Sequence, residues 1–166
     1  MTTMRSISLG SLVLLSLAAF TSSSTSSFAG IVTGGLRAEM HGDATFGLVN
    51  GRGMAPSVFT LSLGANGADG SILFTRTNGM RLVPGTYTIT GEDNGPDGLR
   101  VLVMTGSAEH PTGVFRGQTG TLTVTSVTDN VIRGNYRVRA TGFVASDPAD
   151  EDRQIVASGG FTARRH

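Results

Sequence analysis

The sequence contains no cysteine, no lysine and no tryptophan. Without cysteine the chain forms no disulfide, has no thiolate nucleophile and cannot hold a cysteine-ligated zinc ion or iron–sulfur cluster. Without lysine it contains no phosphate-binding loop of the Gly-x-x-x-x-Gly-Lys type. The patterns Gly-x-Ser-x-Gly and His-Glu-x-x-His are also missing. These absences exclude the familiar motifs of P-loop nucleotide binding, serine hydrolysis and zinc proteolysis.

Charged residues are scarce, at 15% of the chain, and all 13 basic residues are arginines, set against 12 acidic residues. Arg5 lies in a segment that we expect to be removed, which leaves 12 arginines and 12 acidic residues. General nucleic-acid binding requires a cationic footprint, so a neutral mature chain predicts no nucleic-acid partner. A length of 166 residues with 39% hydrophobic residues suits one domain with a core of its own.

The N-terminal segment has the layout of a secretory signal peptide. Met1–Ser8 is polar and includes Arg5, and Leu9–Phe20 is an apolar run shorter than the roughly 20 residues of a membrane span. Ser27 and Ala29 supply small residues at positions −3 and −1 of a cleavage site. We therefore expect residues 1–29 to be removed and an exported protein, periplasmic or secreted, with no membrane span in its mature form.

The remaining chain, 30–166, reads as one all-β domain. Glycine is abundant, with 24 residues, and no window shows a helical period with caps. Period-two alternation of apolar and polar residues instead recurs between turn signals. The pattern predicts about 8–10 short strands in an antiparallel β-sandwich or a closed β-barrel. The alternating segments are Val58–Leu63, Ser71–Thr77, Thr86–Thr90, Leu99–Met104, Thr121–Thr125, Ile132–Ala140 and Ile155–Ala163.

The register of one hairpin can be predicted from the sequence. The apolar residues occupy even positions both before and after residues 128–130. Opposed residues of an antiparallel pair share a face, so a loop of odd length is needed to keep both apolar sets on the same side. We expect a three-residue loop with Asn130 in the left-handed conformation, and the pairs Leu122–Tyr136 and Val127–Val131.

Arg133, Arg137 and Arg139 alternate with the apolar residues of this hairpin and are predicted to share its outer face. Such a row of arginines could bind an anionic polymer, because guanidinium groups form forked hydrogen bonds to carboxylates, phosphates and sulfates. An alternative interpretation is an ordinary solvated face with cross-strand partners such as Thr121 and Thr125.

Two acidic loops are candidate calcium sites, and calcium is the only cofactor that the sequence suggests. Oxygen ligands close together in sequence are what a hard cation requires. The first loop offers Asp93 and Asp97, but Met104 stands where an EF-hand needs its last carboxylate. The second offers Asp150 and Asp152. A plain turn and a solvated loop are the alternatives for these two segments.

The C-terminal part carries a further pattern: Gly120-Thr-Leu-Thr-Val-Thr, then Gly134-x-Tyr-x-Val, then Gly159-Gly-Phe-Thr-Ala. It resembles exported bacterial β-domain proteins of unknown function. The resemblance implies an antiparallel sandwich or barrel and assigns no activity and no catalytic residue.

These observations favour an exported, non-enzymatic binding or cell-envelope interaction module, with an anionic polymer or another envelope component as partner. A lipocalin-like barrel that binds a small molecule or carbohydrate is the first alternative, and it requires an unfilled interior. A hydrolase is the second alternative, and it requires two loop carboxylates close together in a cleft, from Glu39, Asp43, Glu92 and Glu109.

Overall fold

The structure is a computed structural model that describes residues 25–50, 57–64, 70–91, 98–107, 109–147 and 153–166. Within these ranges the chain forms ten β-strands and no helix, which confirms the all-β prediction. The same ranges contain no helix with the length and hydropathy that crossing a membrane requires. The strands are β1 Ser27–Gly34, β2 Ala38–Gly42, β3 Ala44–Val49, β4 Val58–Leu63, β5 Gly70–Arg76, β6 Gly85–Thr90, β7 Leu99–Gly106, β8 Pro111–Val127, β9 Val131–Val144 and β10 Arg153–Arg165.

All ten strands belong to one sheet, in the order β2-β1-β10-β3-β4-β5-β7-β6-β8-β9. Two additional pairings join β9 to β10 and β7 to β8. The pairings therefore trace a circuit from β10 through β3, β4, β5, β7, β8 and β9 back to β10. Neighbours are antiparallel except β3 with β10 and β6 with β7, which pair in parallel over short stretches.

Side chains alternate between an inner and an outer face along the strands, as the sequence predicted. On β4 the buried residues are Phe59, Leu61 and Leu63, and the residues between them are half-buried. The inward residues of all the strands form one continuous hydrophobic cluster. Because the apolar period matches the pleat of the sheet, burying one face of every strand produces this core.

The β8–β9 hairpin has the predicted faces but a different turn. Leu122 lies opposite Tyr136 and both are buried, which confirms that pair. Val127 lies opposite Ile132, so the predicted pairing with Val131 is wrong. The expected left-handed Asn130 is also wrong, because no described residue other than glycine has a positive φ.

A β-bulge explains the difference. The register shifts between Val124 and Ser126, where β8 contains one residue more than β9. The backbone N–H of Thr128 donates to the carbonyl of Val131 at 2.8 Å, so two residues form the turn between them. A bulge changes the parity of the pairing by one, and an even-length turn then keeps the apolar residues of both strands inside.

Tyr136 fills space that the neighbouring strands leave empty. Gly159 is its direct partner on β10, and Gly30 on β1 is the partner of Gly159. A Cβ atom added at Gly30 would overlap the Tyr136 hydroxyl. Across the interior the Tyr136 ring meets the edge of Phe74, with 5.7 Å between the ring centroids. Side chains from opposite strands therefore touch in the middle of the core.

Arg76, the last residue of β5, points inward and is only 8% exposed. Its Nη1 donates to the carbonyls of Met80 and Arg81 at 3.4 and 3.3 Å. Its guanidinium carbon lies 5.1 Å from the centroid of the Tyr87 ring, and the Tyr87 hydroxyl bonds both N–H and C=O of Val83. This Arg76–Tyr87 pair ties the β5–β6 connection to the core.

Candidate functional site

The outer face of β9 carries the three arginines singled out from the sequence. Arg133, Arg137 and Arg139 are exposed, while the alternating residues Tyr136 and Val138 are buried. Along a strand, Arg137 and Arg139 are separated by about 6.7 Å and Arg133 lies about 13 Å from Arg137. The strand therefore sets these three side chains in one row along the outer face of β9.

The neighbours of this row are short side chains. Arg137 lies between Thr121 of β8 and Ser158 of β10. Arg133 faces Ser126 and not Thr125, because of the bulge, and the Thr125 hydroxyl donates to the Arg133 carbonyl at 3.2 Å. Short neighbours leave the guanidinium groups accessible from outside the sheet.

Two more exposed arginines extend the row onto the flanking strands. Arg116 lies on the outer face of β8 and Arg164 on that of β10. Strands β8, β9 and β10 contain no aspartate or glutamate anywhere along their lengths. We call the outward side of these three strands the arginine face, comprising Arg116, Arg133, Arg137, Arg139 and Arg164.

A groove of about 440 Å³ opens on the arginine face beside Arg139. Its polar lining includes Gln118 and Thr119 of β8 and Gln154 of β10. The groove lies where the β8–β9 register shifts between Gly117 and Thr119, so a second bulge shapes it. Guanidinium, amide and hydroxyl groups thus converge on one open depression.

A second groove, of about 390 Å³, lies on the other side of β8. Arg100 of β7 and Arg116 line it, together with Thr75 and Thr90. The Nη2 of Arg116 donates to the carbonyl of Gly91 at 3.1 Å, which fixes the direction of its side chain. The cationic surface therefore continues from β10 to β7.

Sequence reasoning missed Arg100, Arg116 and both grooves. Arg116 lies in the first half of β8, which the alternation in Thr121–Thr125 did not reach. The alternation does extend further back along the chain, with Gly113, Phe115 and Gly117 at inward positions. This part of the pattern could have placed Arg116 on the outer face.

The candidate calcium ligands Asp93, Asp97, Asp150 and Asp152 lie outside the described residues. In the part of the chain that the structure describes, no group of three or more histidine, aspartate or glutamate residues is arranged to hold a metal ion. Asp147, at the start of the second acidic loop, forms an ion pair with Arg153, with 3.1 Å between Oδ2 and Nη2.

Of the carboxylates considered for hydrolysis, three are described and Glu92 is not. Glu39 is exposed on β2, Asp43 joins β2 to β3 and Glu109 precedes β8. The backbone carbonyl of Asp43 accepts a hydrogen bond from the N–H of Gly64, which joins the β2–β3 connection to the end of β4.

Tyr136 is the one buried side chain of the described residues whose polar atom has no hydrogen-bond partner. Burial raises the pKa of its hydroxyl far above the usual value. Because the phenol faces Phe74 and the glycine pair inside the core, its role is packing rather than proton transfer.

Comparison with protein-family models, with curated proteins and with solved structures finds no match for this chain.

Proposed function

We propose that this chain is an exported, non-enzymatic binding module of the bacterial envelope whose arginine face holds an anionic polymer. The observation that carries the proposal is the separation of charge over the sheet. The five exposed arginines of the arginine face lie on the outward side of three adjacent strands that contain no aspartate or glutamate. Export is supported by the signal-like layout of the N-terminal residues.

The geometry of the face suits an elongated ligand. Arg133, Arg137 and Arg139 are spaced along one strand, so a polymer parallel to β9 would meet them in succession. Arginine presents a planar fork of donors to carboxylate, phosphate or sulfate. Gln118, Thr119 and Gln154 add neutral donors and acceptors beside Arg139, where hydroxyl groups of a polysaccharide could bind.

The composition of the face favours an anionic polysaccharide over a nucleic acid. Binding of single strands relies on aromatic side chains on which the bases stack. Phe143 is the only aromatic residue with a substantially exposed side chain among those the structure describes, at 38%. It lies at the far end of β9, beyond the row of arginines.

We also propose that the circuit of paired strands is a closed barrel with a filled interior. The contact between Phe74 and Tyr136 across the core and the continuous cluster of buried residues support this arrangement. A barrel filled by its own side chains offers its ligand the outside rather than a lipocalin-like cavity. A closed, filled barrel is thus consistent with a binding site on the arginine face.

Calorimetric titration of the exported protein with dextran sulfate tests the proposal. We expect saturable binding that weakens when salt is raised from about 50 to 200 mM, since exposed charges are screened. Arg137→Ser should weaken binding roughly three- to fivefold, the effect of losing one exposed ion pair of up to about 1 kcal/mol. Replacing Arg133, Arg137 and Arg139 together should weaken it at least tenfold.

Arg81→Ser is the matched control, because it removes the same charge from the exposed β5–β6 connection, which is not part of the arginine face. The Nη2 of Arg81 donates to the carbonyl of Asp129 in the β8–β9 turn at 3.4 Å, so the unfolding midpoint of this variant is measured alongside its binding. Neutral dextran should not bind. Equal losses for Arg81→Ser and Arg137→Ser would show that net charge and not the arginine face determines binding. Binding of oligothymidylate as tight as that of dextran sulfate would contradict the preference for a polysaccharide.

A further inference from the structure

The residues just before β1 are part of the fold. The Ser26 hydroxyl donates to the carbonyl of Ala44 at 2.7 Å and accepts the Ala44 N–H at 2.9 Å. Both backbone groups at the first position of β3 are therefore bonded by one side chain from the N-terminal end. Removing Ser26 would leave the start of β3 without these bonds.

Phe28 is a core residue. Its side chain is 3% exposed and belongs to the continuous hydrophobic cluster. In the sheet it lies opposite Phe161 of β10 and opposite Gly42 of β2, so it pairs on both sides. Loss of an aromatic ring from such a position opens a cavity in the core.

The cleavage site expected after Ala29 falls inside β1. A chain cut there would lose Ser26, Phe28 and the first three of the eight residue pairs that join β1 to β10. A signal peptide is removed from the unfolded chain, so the strand does not protect this bond from cleavage. The product, however, would lack part of its core.

We infer that processing occurs upstream of Ser26, after Ser24, so that the mature protein begins at Thr25 and keeps all of β1. Ser22 and Ser24 supply the small residues at −3 and −1, four residues beyond the end of the apolar run at Phe20. This inference rests on the export part of the proposed function and is independent of polymer binding.

Intact-mass measurement of the exported product of the full chain tests the site. A product that begins at Thr25 is expected. A product that begins at Gly30, or an exported chain that retains Arg5, would overturn the inference. The measurement uses no ligand, so a failure of polymer binding does not affect its outcome.

A matched pair of substitutions identifies the residue at the −1 position of the signal-peptide cleavage site. Ser24→Tyr places a bulky side chain at the proposed −1 position and should block formation of the product that begins at Thr25. Ala29→Tyr should leave processing unchanged, and the exposed outer position of Ala29 on β1 accommodates the larger side chain. The opposite pattern, with processing blocked only by Ala29→Tyr, would overturn the inference.

Thermal unfolding of the exported product gives an independent test. Phe28→Ala should lower the unfolding midpoint by about 10 °C, because an aromatic residue is lost from the core. Ala29→Ser is the control and should change it little. An unchanged midpoint for Phe28→Ala would show that the mature protein does not contain this residue, which would contradict cleavage after Ser24.

Discussion

The inner and outer faces of the sheet use the same side chain in opposite ways. Arg76 points inward, where carbonyls of the β5–β6 connection and the Tyr87 ring surround its guanidinium. Arg137 points outward, between Thr121 and Ser158, and is exposed. Strand parity decides which face each arginine occupies.

This difference separates an arginine that stabilises the fold from one that remains accessible at the surface. A buried charge must be hydrogen-bonded, or its desolvation destabilises the fold, so Arg76 is fixed by its surroundings. An exposed arginine with short neighbours keeps its charge in water and remains available to a partner. Substitutions on the inner face should therefore change stability, and those on the outer face should change binding.

The largest effect is expected from Arg76→Ala. The change opens a cavity and leaves the Met80 and Arg81 carbonyls without their donor, so we expect a loss of about 3 kcal/mol in the free energy of unfolding. Urea denaturation measures it. Arg76→Met retains the aliphatic volume and should lose less. A loss no greater than that of Arg137→Ala would remove the distinction between the two faces.

Gly30→Ala should cost about 2 kcal/mol, because its methyl group would overlap the Tyr136 hydroxyl and overpack the core. Combining it with Tyr136→Phe removes the overlapping oxygen and should recover part of the loss. The recovery appears as non-additivity in a double-mutant cycle. Strict additivity of the two changes would show that Tyr136 does not occupy the space above Gly30.

Tyr136→Phe alone should stabilise the protein by about 1 kcal/mol at neutral pH, because it removes a buried hydroxyl that has no partner among the described residues. Burial raises the pKa of Tyr136 above its ordinary value of 10.0, so the folded state favours the neutral phenol. The unfolded chain ionises first as pH rises through about 10, which lowers stability by up to about 1.4 kcal/mol per pH unit.

Unfolding of the two proteins between pH 8 and pH 11, at about half-unit steps, measures this pH dependence. The gap between Tyr136→Phe and the parent should be constant below about pH 10 and widen above it. A constant gap over the whole range would place the Tyr136 hydroxyl in contact with water.

The smallest effect on stability is expected from changes on the outer face. Replacing Arg133, Arg137 and Arg139 by serine should alter the free energy of unfolding by no more than about 0.5 kcal/mol per site. The same protein should lose most of its affinity for dextran sulfate. A large loss of stability would mean that these side chains hold the sheet together, and the measured loss of binding would then follow from unfolding.

Much of the fold was predictable because the alternation of apolar and polar residues along a strand is a local property of the sequence. The strand predicted over Val58–Leu63 has those limits in the structure, and Phe59 and Leu61 point inward as expected. Strands β1, β2 and β3 were not predicted. Glycine and alanine hold inward positions there, including Gly30 and Ala44, so the alternation of large apolar residues is too weak to detect.

The hairpin turn shows a different limit. Parity correctly placed Leu122 opposite Tyr136, but an odd loop and a bulge satisfy the same parity condition. The alternation of apolar residues shows that one extra residue is needed between the two strands. It does not show whether that residue lies in the turn or in a bulge within β8. Backbone pairing near Thr125, rather than the pattern, decides between them.

By itself the sequence determined the all-β class, the inward residues within the alternating segments of seven strands and the outward arginines of β9, since each follows from residue alternation. Only the tertiary structure decided which strands are neighbours, and therefore that Arg116 and Arg164 join the row on β9 and that grooves open beside it. It also decided that Phe28 belongs to the core, because that depends on pairing with β10, more than 100 residues away along the chain. Long-range pairing leaves no local pattern in the sequence, and here it assembles the candidate site.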